Sequence, residues 1–179
     1  MLIGITGLAG SGKSEVARVL MEEFGFVRVK FADPLKNMCR ALIRDAGVDE
    51  ETTERYVEGD LKGALVPGLD ITARWLMQTV GTEWGRDTIR QSFWTDLWQA
   101  RVDATRAERV LVDDVRFPNE VATVIERRGV MWRVERPGVA PGRHPSETFI
   151  ASLRVDTTID NHGTLKDLAL ATAAAFAFA

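Results

Sequence analysis

Apolar residues follow two rhythms that take turns along this chain. Leu2, Ile3 and Ile5 form a short run bounded by glycine, which suits a strand buried on both faces of a parallel sheet. Val16, Ala17, Val19, Leu20 and Phe24 then recur in steps of three and four, which predicts a helix over 14–24 ended by Gly25. Apolar and basic residues alternate from Phe26 to Phe31, giving a second strand, and Asp33-Pro34 opens a helix to about Ala46 with Pro at its first position. Residues 47–70 carry many acids, several glycines and Pro67 with weak periodicity, so a mobile insertion with a short helix is expected there. Thr72 caps the next helix, whose apolar positions are Ala73, Leu76, Met77 and Val80, and Gly81 is expected to interrupt it. Phe93, Trp94, Leu97, Trp98 and Val102 mark a longer amphipathic helix ending near Ala107. Arg109 to Asp113 reads as a buried strand, 118–128 as a helix and Val130 to Glu135 as a strand. A loop rich in Pro, Gly and Arg fills 136–147, a short strand covers 157–159, and Asn161-His162-Gly163 turns into a terminal helix from Thr164. Strands alternating with helices imply an α/β fold in three layers, a parallel sheet with helices on both faces. No repeat, low-complexity tract or long linker divides the chain, so one domain over 1–179 is expected.

Composition narrows what this domain can be. The chain has 179 residues, 45% hydrophobic and 27% charged, with a formal net charge of −3. At this length roughly 70% of the extended chain's surface is buried on folding, enough for one core without staples. Cys39 is the only cysteine, which excludes a disulfide scaffold and favours a reducing, intracellular setting; it reads as a small buried hydrophobe. The acidic balance argues against a protein that holds nucleic acid polymers and leaves small anionic ligands open. No basic segment precedes the apolar start, so a cytoplasmic location is expected. The apolar run 168–179 is shorter than the roughly 20 residues a membrane helix needs, and reads as a final helix on the core. His144 and His162 are too few for a metal site.

One motif carries explicit chemistry. Gly7, Leu8, Ala9, Gly10, Ser11, Gly12, Lys13 and Ser14 satisfy G-x-x-x-x-G-K-[ST] between an expected strand and an expected helix. In such a P-loop (Walker A) the backbone N–H groups and the helix N-terminus receive phosphates. Lys13 would reach the β- and γ-phosphates, and Ser14 would ligate Mg²⁺. Asp113 and Asp114 emerge at the carboxyl end of a strand, where ligands bind in open parallel sheets, and one of them should face the metal. Arg86, Arg90, Arg116, Arg133, Arg136 and Arg143 supply the cationic forks that a phosphoryl transferase needs. Trp75 or Trp84 could stack on a base.

With the P-loop, Phe31 to Lys36, Gly81 to Arg86, Asp113 to Glu120, His144 to Glu147 and Asn161 to Leu165, the chain resembles the bacteriophage-type deoxynucleoside monophosphate kinases. The resemblance implies an adenylate-kinase-like P-loop enzyme that moves the γ-phosphoryl of ATP to a deoxynucleoside 5′-monophosphate. It further implies an acceptor-binding insertion over about 34–107 and a short lid over about 136–147 carrying Arg136 and Arg143. Asp33 and Lys36 would border the acceptor site, Gln78 and Arg86, with Trp84, would bind the acceptor nucleotide, and Arg116 would contact a phosphate. Asn161 to Gly163 looks like the loop under the adenine of ATP. Partners would be small nucleotides, with no nucleic acid polymer and no membrane, and a homodimer stays open. Two other readings compete. A P-loop kinase of a metabolite such as dephospho-coenzyme A or phosphomevalonate would use Asp33 as a base when the acceptor is a hydroxyl. A non-catalytic nucleotide-binding switch would show no turnover.

Overall fold

The computed structural model describes residues 1–140 and 149–178. They group into two compact units, residues 1–31 with 97–179 and residues 32–96. The larger unit holds a five-stranded sheet of β1 (Leu2–Thr6), β2 (Val27–Arg28), β3 (Val110–Val112), β4 (Val130–Glu135) and β5 (Thr157–Asp160). The strands run in the order β2-β3-β1-β4-β5 and every pairing is parallel.

Helices cover both faces of this sheet because the strand residues alternate between two cores. Ile3, Ile5, Leu111, Trp132 and Val134 pack with Val16, Ala17 and Leu20 of α1 (Lys13–Phe24) and Leu168 of α7 (Leu165–Ala177). On the opposite face Leu2, Val110, Val112 and Met131 pack with Trp98 and Val102 of α5 (Phe93–Thr105) and Val121 and Val124 of α6 (Pro118–Glu126). The apolar runs of β1 and β3 thus report strands buried on both sides, as the pattern predicts. β1 lies where the order reverses, with β3 on one side and β4 on the other. The chain leaving β1 therefore opens onto the crevice that this sheet class uses for ligands.

The second strand is shorter than the expected 26–31, and the reason is local. Val29 N–H makes the last ladder bond, to the Leu111 carbonyl at 2.9 Å, and the backbone groups after it turn to side-chain partners. Trp98 Nε1 donates to the Val29 carbonyl at 2.8 Å, Arg101 Nη1 to the Lys30 carbonyl at 2.8 Å, and Phe31 N–H donates to Asp114 Oδ1 at 3.0 Å.

The smaller unit contains α2 (Asp33–Asp45), α3 (Glu50–Val57), a 3₁₀ turn at Asp60–Gly63, α4 (Ala73–Thr79) and a π-helical stretch over Val80–Ile89. Its core is Cys39, Ile43, Tyr56, Val57, Val66, Ala73 and Leu76. α2 starts one residue before Pro34, so the proline is the second helical residue and not the first. Within the expected insertion, Asp49 caps α3 by accepting from Thr52 N–H at 2.9 Å. Tyr56 Oη donates to the Leu65 carbonyl at 2.9 Å and ties down the segment that follows.

Gly81 does not interrupt the helix that begins at Ala73. The chain continues through it with wider turns, and Arg90 N–H donates to the Gly85 carbonyl five residues back at 3.2 Å. Two side chains hold this arrangement: Trp94 Nε1 at 2.8 Å and Arg86 Nη1 at 2.7 Å both donate to the Gly81 carbonyl. Gly85 makes the approach possible, since a Cβ there would lie 2.4 Å from Trp94 Nε1. π-Helical turns are rare and concentrate where a side chain must be aimed.

Candidate functional site

The loop from Gly7 to Gly12 joins β1 to α1, and its shape depends on backbone conformations that side chains disfavour: φ is 145° at Gly7, 81° at Gly10 and 107° at Gly12. Ser11 N–H donates back to the Leu8 carbonyl at 3.1 Å, and Gly12 O accepts from Glu15 and Val16 N–H as α1 begins. Ala9 and Gly10 are exposed while Ser11 is buried, and its hydroxyl has no hydrogen-bond partner. Lys13 bends back over the loop, and its Nζ donates to the carbonyls of Gly7 and Leu8, both at 2.7 Å. Ser14 is exposed in the first turn of α1. Backbone donors at a helix N-terminus, with an ammonium fixed above them, form an anion cradle.

The two aspartates after β3 have different surroundings. Asp114 receives the Phe31 N–H described above. Asp113 has a 3% exposed side chain beside two cations, with Arg28 Nη1 at 3.5 Å and Lys30 Nζ at 3.9 Å, and its buried Oδ1 has no hydrogen bond. Arg28 pairs in register with Leu111, which packs on the α1 face of the sheet. A buried carboxylate oxygen lacking a hydrogen bond is a donor suited to a hard divalent cation, as is the Ser14 hydroxyl. Among the described residues no cluster of three or more His, Cys, Asp or Glu could hold a metal alone. An ion here would need ligand oxygens to complete its shell, as Mg²⁺ commonly does.

The expected arginines separate by environment. Arg116 is exposed, and Glu120 fixes its backbone: this 2% exposed carboxylate accepts from Arg116 N–H at 2.7 Å and Phe117 N–H at 3.1 Å. Glu120 is not among the expected site residues, and its only sequence signal is an acid three places after Phe117, the residue that caps α6. Arg133 faces inward, and its Nη2 donates to the carbonyls of Ile150 and Leu153 at 3.1 and 2.6 Å. It therefore ties a turn to β4. Arg136 is exposed just after β4, whereas Arg143, like His144 to Glu147, lies outside the described residues.

In the smaller unit Lys36 meets Glu58, with Nζ–Oε2 at 2.8 Å, and Arg40 pairs with Glu54 at 2.5 Å and Glu58 at 3.2 Å. The Arg40 guanidinium holds the Glu54 carboxyl below its ordinary range. Asp33 opens α2, and Gln78 is half-buried on α4. Trp84 and Arg86 sit on the π-helical stretch; the Trp84 ring packs edge-on against Phe93 at 5.5 Å and is 38% exposed. Trp84 and Arg86 thus share one element with a defined shape.

After β5, Asn161 and Gly163 occupy different settings. Asn161 Nδ2 donates to the Ser11 carbonyl at 2.8 Å. Gly163 precedes the cap of α7, where Thr164 and Asp167 hold each other. The loop under α7 therefore touches the phosphate loop through Asn161. No helix among the described residues is long and apolar enough to cross a membrane.

Comparison with known proteins bears on this arrangement. Residues 69–171 match the sequence model of a family described as deoxynucleotide monophosphate kinase. A protein of Acanthamoeba polyphaga mimivirus, provisionally named a deoxynucleotide monophosphate kinase, is 30% identical over 183 residues, covering 93% of this chain and 91% of the viral one. The fold is similar to that of TT1252 from Thermus thermophilus, at 21% identity, with a TM-score of 0.50 over 99% of this chain and 97% of that one. A dephospho-CoA kinase from Campylobacter jejuni is 15% identical, with a TM-score of 0.49 over 98% of this chain and 95% of the other.

Proposed function

Because the chain belongs to the deoxynucleotide monophosphate kinase family, we propose that it transfers the γ-phosphoryl of ATP to a deoxynucleoside 5′-monophosphate, releasing ADP and the deoxynucleoside diphosphate. The observation that carries this reading is the phosphate loop, open at its tip and overlain by Lys13, at the strand where the sheet order reverses. On binding, triphosphate oxygens replace the Gly7 and Leu8 carbonyls as acceptors of the Lys13 ammonium. That exchange neutralises charge where it grows during transfer. A Mg²⁺ ion bound with the donor would supply further neutralisation, and Ser14 and Asp113 are the residues suited to hold it.

The acceptor phosphate is anionic near neutral pH, so transfer requires alignment and charge stabilisation and no strong general base. Lys36, Gln78, Trp84 and Arg86 are the acceptor-binding candidates, with Asp33 at their border. Lys36 would exchange Glu58 for phosphate, and Trp84 has the exposed ring that stacking on a base requires. Arg116, Arg136 and Arg143 are the candidates for the cations that stabilise the transferring group.

The test is ADP release from Mg-ATP with each deoxy- and ribonucleoside monophosphate in turn, with dephospho-coenzyme A and phosphomevalonate as controls. Turnover with at least one deoxynucleotide is expected. Turnover confined to a hydroxyl acceptor would move Asp33 into the role of base, and no turnover with any acceptor would favour a nucleotide-binding switch.

A further inference from the structure

We infer that Asn161 is a positioning residue for the phosphate loop: it holds the Ser11–Gly12 peptide plane in the orientation that turns the Gly12 N–H toward bound phosphate. This rests on the reading of residues 7–14 as a triphosphate site, and it reassigns Asn161 from the adenine to the loop itself.

Three contacts carry the inference. The Asn161 backbone N–H donates to the Glu135 carbonyl at 2.7 Å, directly after the Glu135–Asp160 pair that closes the β4–β5 ladder. The residue is therefore anchored to the rigid sheet. Its side chain then reaches the loop, with Nδ2 2.8 Å from the Ser11 carbonyl oxygen. A carbonyl only accepts, so the amide nitrogen and not Oδ1 must face it. Finally, a Cβ on Gly12 would lie 2.5 Å from Asn161 Nδ2 and 3.3 Å from Leu168 Cδ2. Gly12 is thus bare on the side where Asn161 sits, and its φ of 107° suits glycine independently.

The geometric consequence follows from peptide planarity. The Ser11–Gly12 peptide is trans, as no cis bond occurs among the described residues. In a trans peptide the C=O and N–H point in opposite directions. A Ser11 carbonyl fixed on Asn161 therefore directs the Gly12 N–H away from Asn161, toward the inside of the loop. Without the clamp this plane can rotate, and the loop loses one aligned donor before any ligand arrives. Preorganised donors of this kind act without reorganisation at the moment of binding.

Inorganic tripolyphosphate separates this role from a base contact, because it carries neither sugar nor base. Its dissociation constant, together with those of ATP and GTP, would be measured by calorimetry for the intact protein and for Asn161→Asp, Asn161→Ala and Lys13→Ala. Asn161→Asp keeps the side chain's size and removes the donor, while Asn161→Ala removes the donor without adding charge. Asn161→Ala should weaken tripolyphosphate and ATP by a similar factor, roughly tenfold, the value of one well-aligned hydrogen bond. Asn161→Asp should weaken both further because its carboxylate repels phosphate, and both variants should leave the ATP:GTP ratio unchanged. Unaltered tripolyphosphate binding with a changed ATP:GTP ratio would overturn the inference and return Asn161 to the base. Should Asn161→Ala not fold, Asn161→Leu, of similar size and with neither donor nor charge, decides: loss of tripolyphosphate affinity is expected of it and unchanged affinity refutes the clamp. Lys13→Ala tests the underlying reading: if it binds tripolyphosphate as tightly as the intact protein, residues 7–14 are not the phosphate site. If only Lys13→Ala loses binding, the site stands and the clamp falls.

Discussion

Asp113 and Asp114 leave the end of β3 side by side, yet one carboxylate is spent on the fold and the other is not. Asp114 accepts the Phe31 N–H and so fastens the extended segment after β2. Asp113 is buried with only loose cationic neighbours and an oxygen that has no hydrogen bond. Substituting each should give different deficits. Asp113→Asn should raise the Mg²⁺ concentration for half-maximal rate and lower kcat by about 10²-fold or more, the scale of one lost electrostatic contact to a transition state. Asp114→Ala should leave the Mg²⁺ requirement in place and cost about 1–3 kcal/mol of stability, because a buried donor loses a charged acceptor. Rate against Mg²⁺ concentration and thermal melting of both variants check this, and exchanged phenotypes would exchange the roles. Sequence proximity could not separate these two residues, since their partners lie some eighty positions earlier. Residues 7–14 were legible because their chemistry is local: the glycines, the lysine and the helix start lie within eight positions. Arg133 illustrates the converse, an arginine whose carbonyl partners appear only once Ile150 and Leu153 fold against it.

A complete apolar stripe makes an element legible, as in α1, α4, α5 and α6, because three- and four-residue spacing survives whatever the helix packs on. The π-helical stretch is not legible in the sequence, since its cause is a tertiary contact. Glycine at 81 and 85 signals a break by propensity, but the indole of Trp94 occupies the space that Gly85 leaves. Gly85→Ala should therefore disorder this turn and shift Arg86 and Trp84 together. The expected result is a KM for the acceptor raised roughly tenfold or more, with ATP affinity unchanged, and a stability loss of about 1–3 kcal/mol from overpacking. Acceptor and donor titrations of one variant distinguish this from general unfolding, which would lower both. The α2–α3 pair makes a smaller, pH-dependent contribution. Hydrogen bonding to Arg40 lowers the Glu54 pKa from its ordinary 4.5, so the pair's stabilisation is fully present above that value and is lost as pH falls through the lowered one. Glu54 is 42% exposed, which limits the effect to roughly 0.2–1 kcal/mol. Glu54→Gln should flatten the acid limb of the stability curve below about pH 4.5 without altering it at neutral pH beyond that amount.

At the scale of the whole chain, alternating strand and helix signals were enough for the parallel three-layer sheet, whereas the limits of its smaller unit were harder to see. The expected insertion ran over about 34–107, and the compact unit covers 32–96. The difference lies within α5, where Trp94 and Trp98 share one stripe: Trp94 Nε1 donates to Gly81, and Trp98 Nε1 donates to Val29. One amphipathic pattern thus supplies an indole to each unit, which periodicity alone cannot divide. The smaller unit has its own apolar cluster of seven buried residues, and a core of such size rarely supplies more than about 3–5 kcal/mol. It should therefore open at lower free energy than the whole protein unfolds. Cys39 makes this measurable, as the chain's only cysteine belongs to that cluster, fully buried, with its thiol pushed up to about 11 by burial. A disulfide reagent at pH 8 should modify it only after opening, so the labelling rate reports the opening equilibrium. Ile43→Ala, beside it in the cluster, should cost about 2–4 kcal/mol and speed labelling by about 30- to 1000-fold. Equal free energies from Cys39 labelling and from denaturant unfolding followed by circular dichroism would instead mean that the cluster opens only when the parallel sheet does.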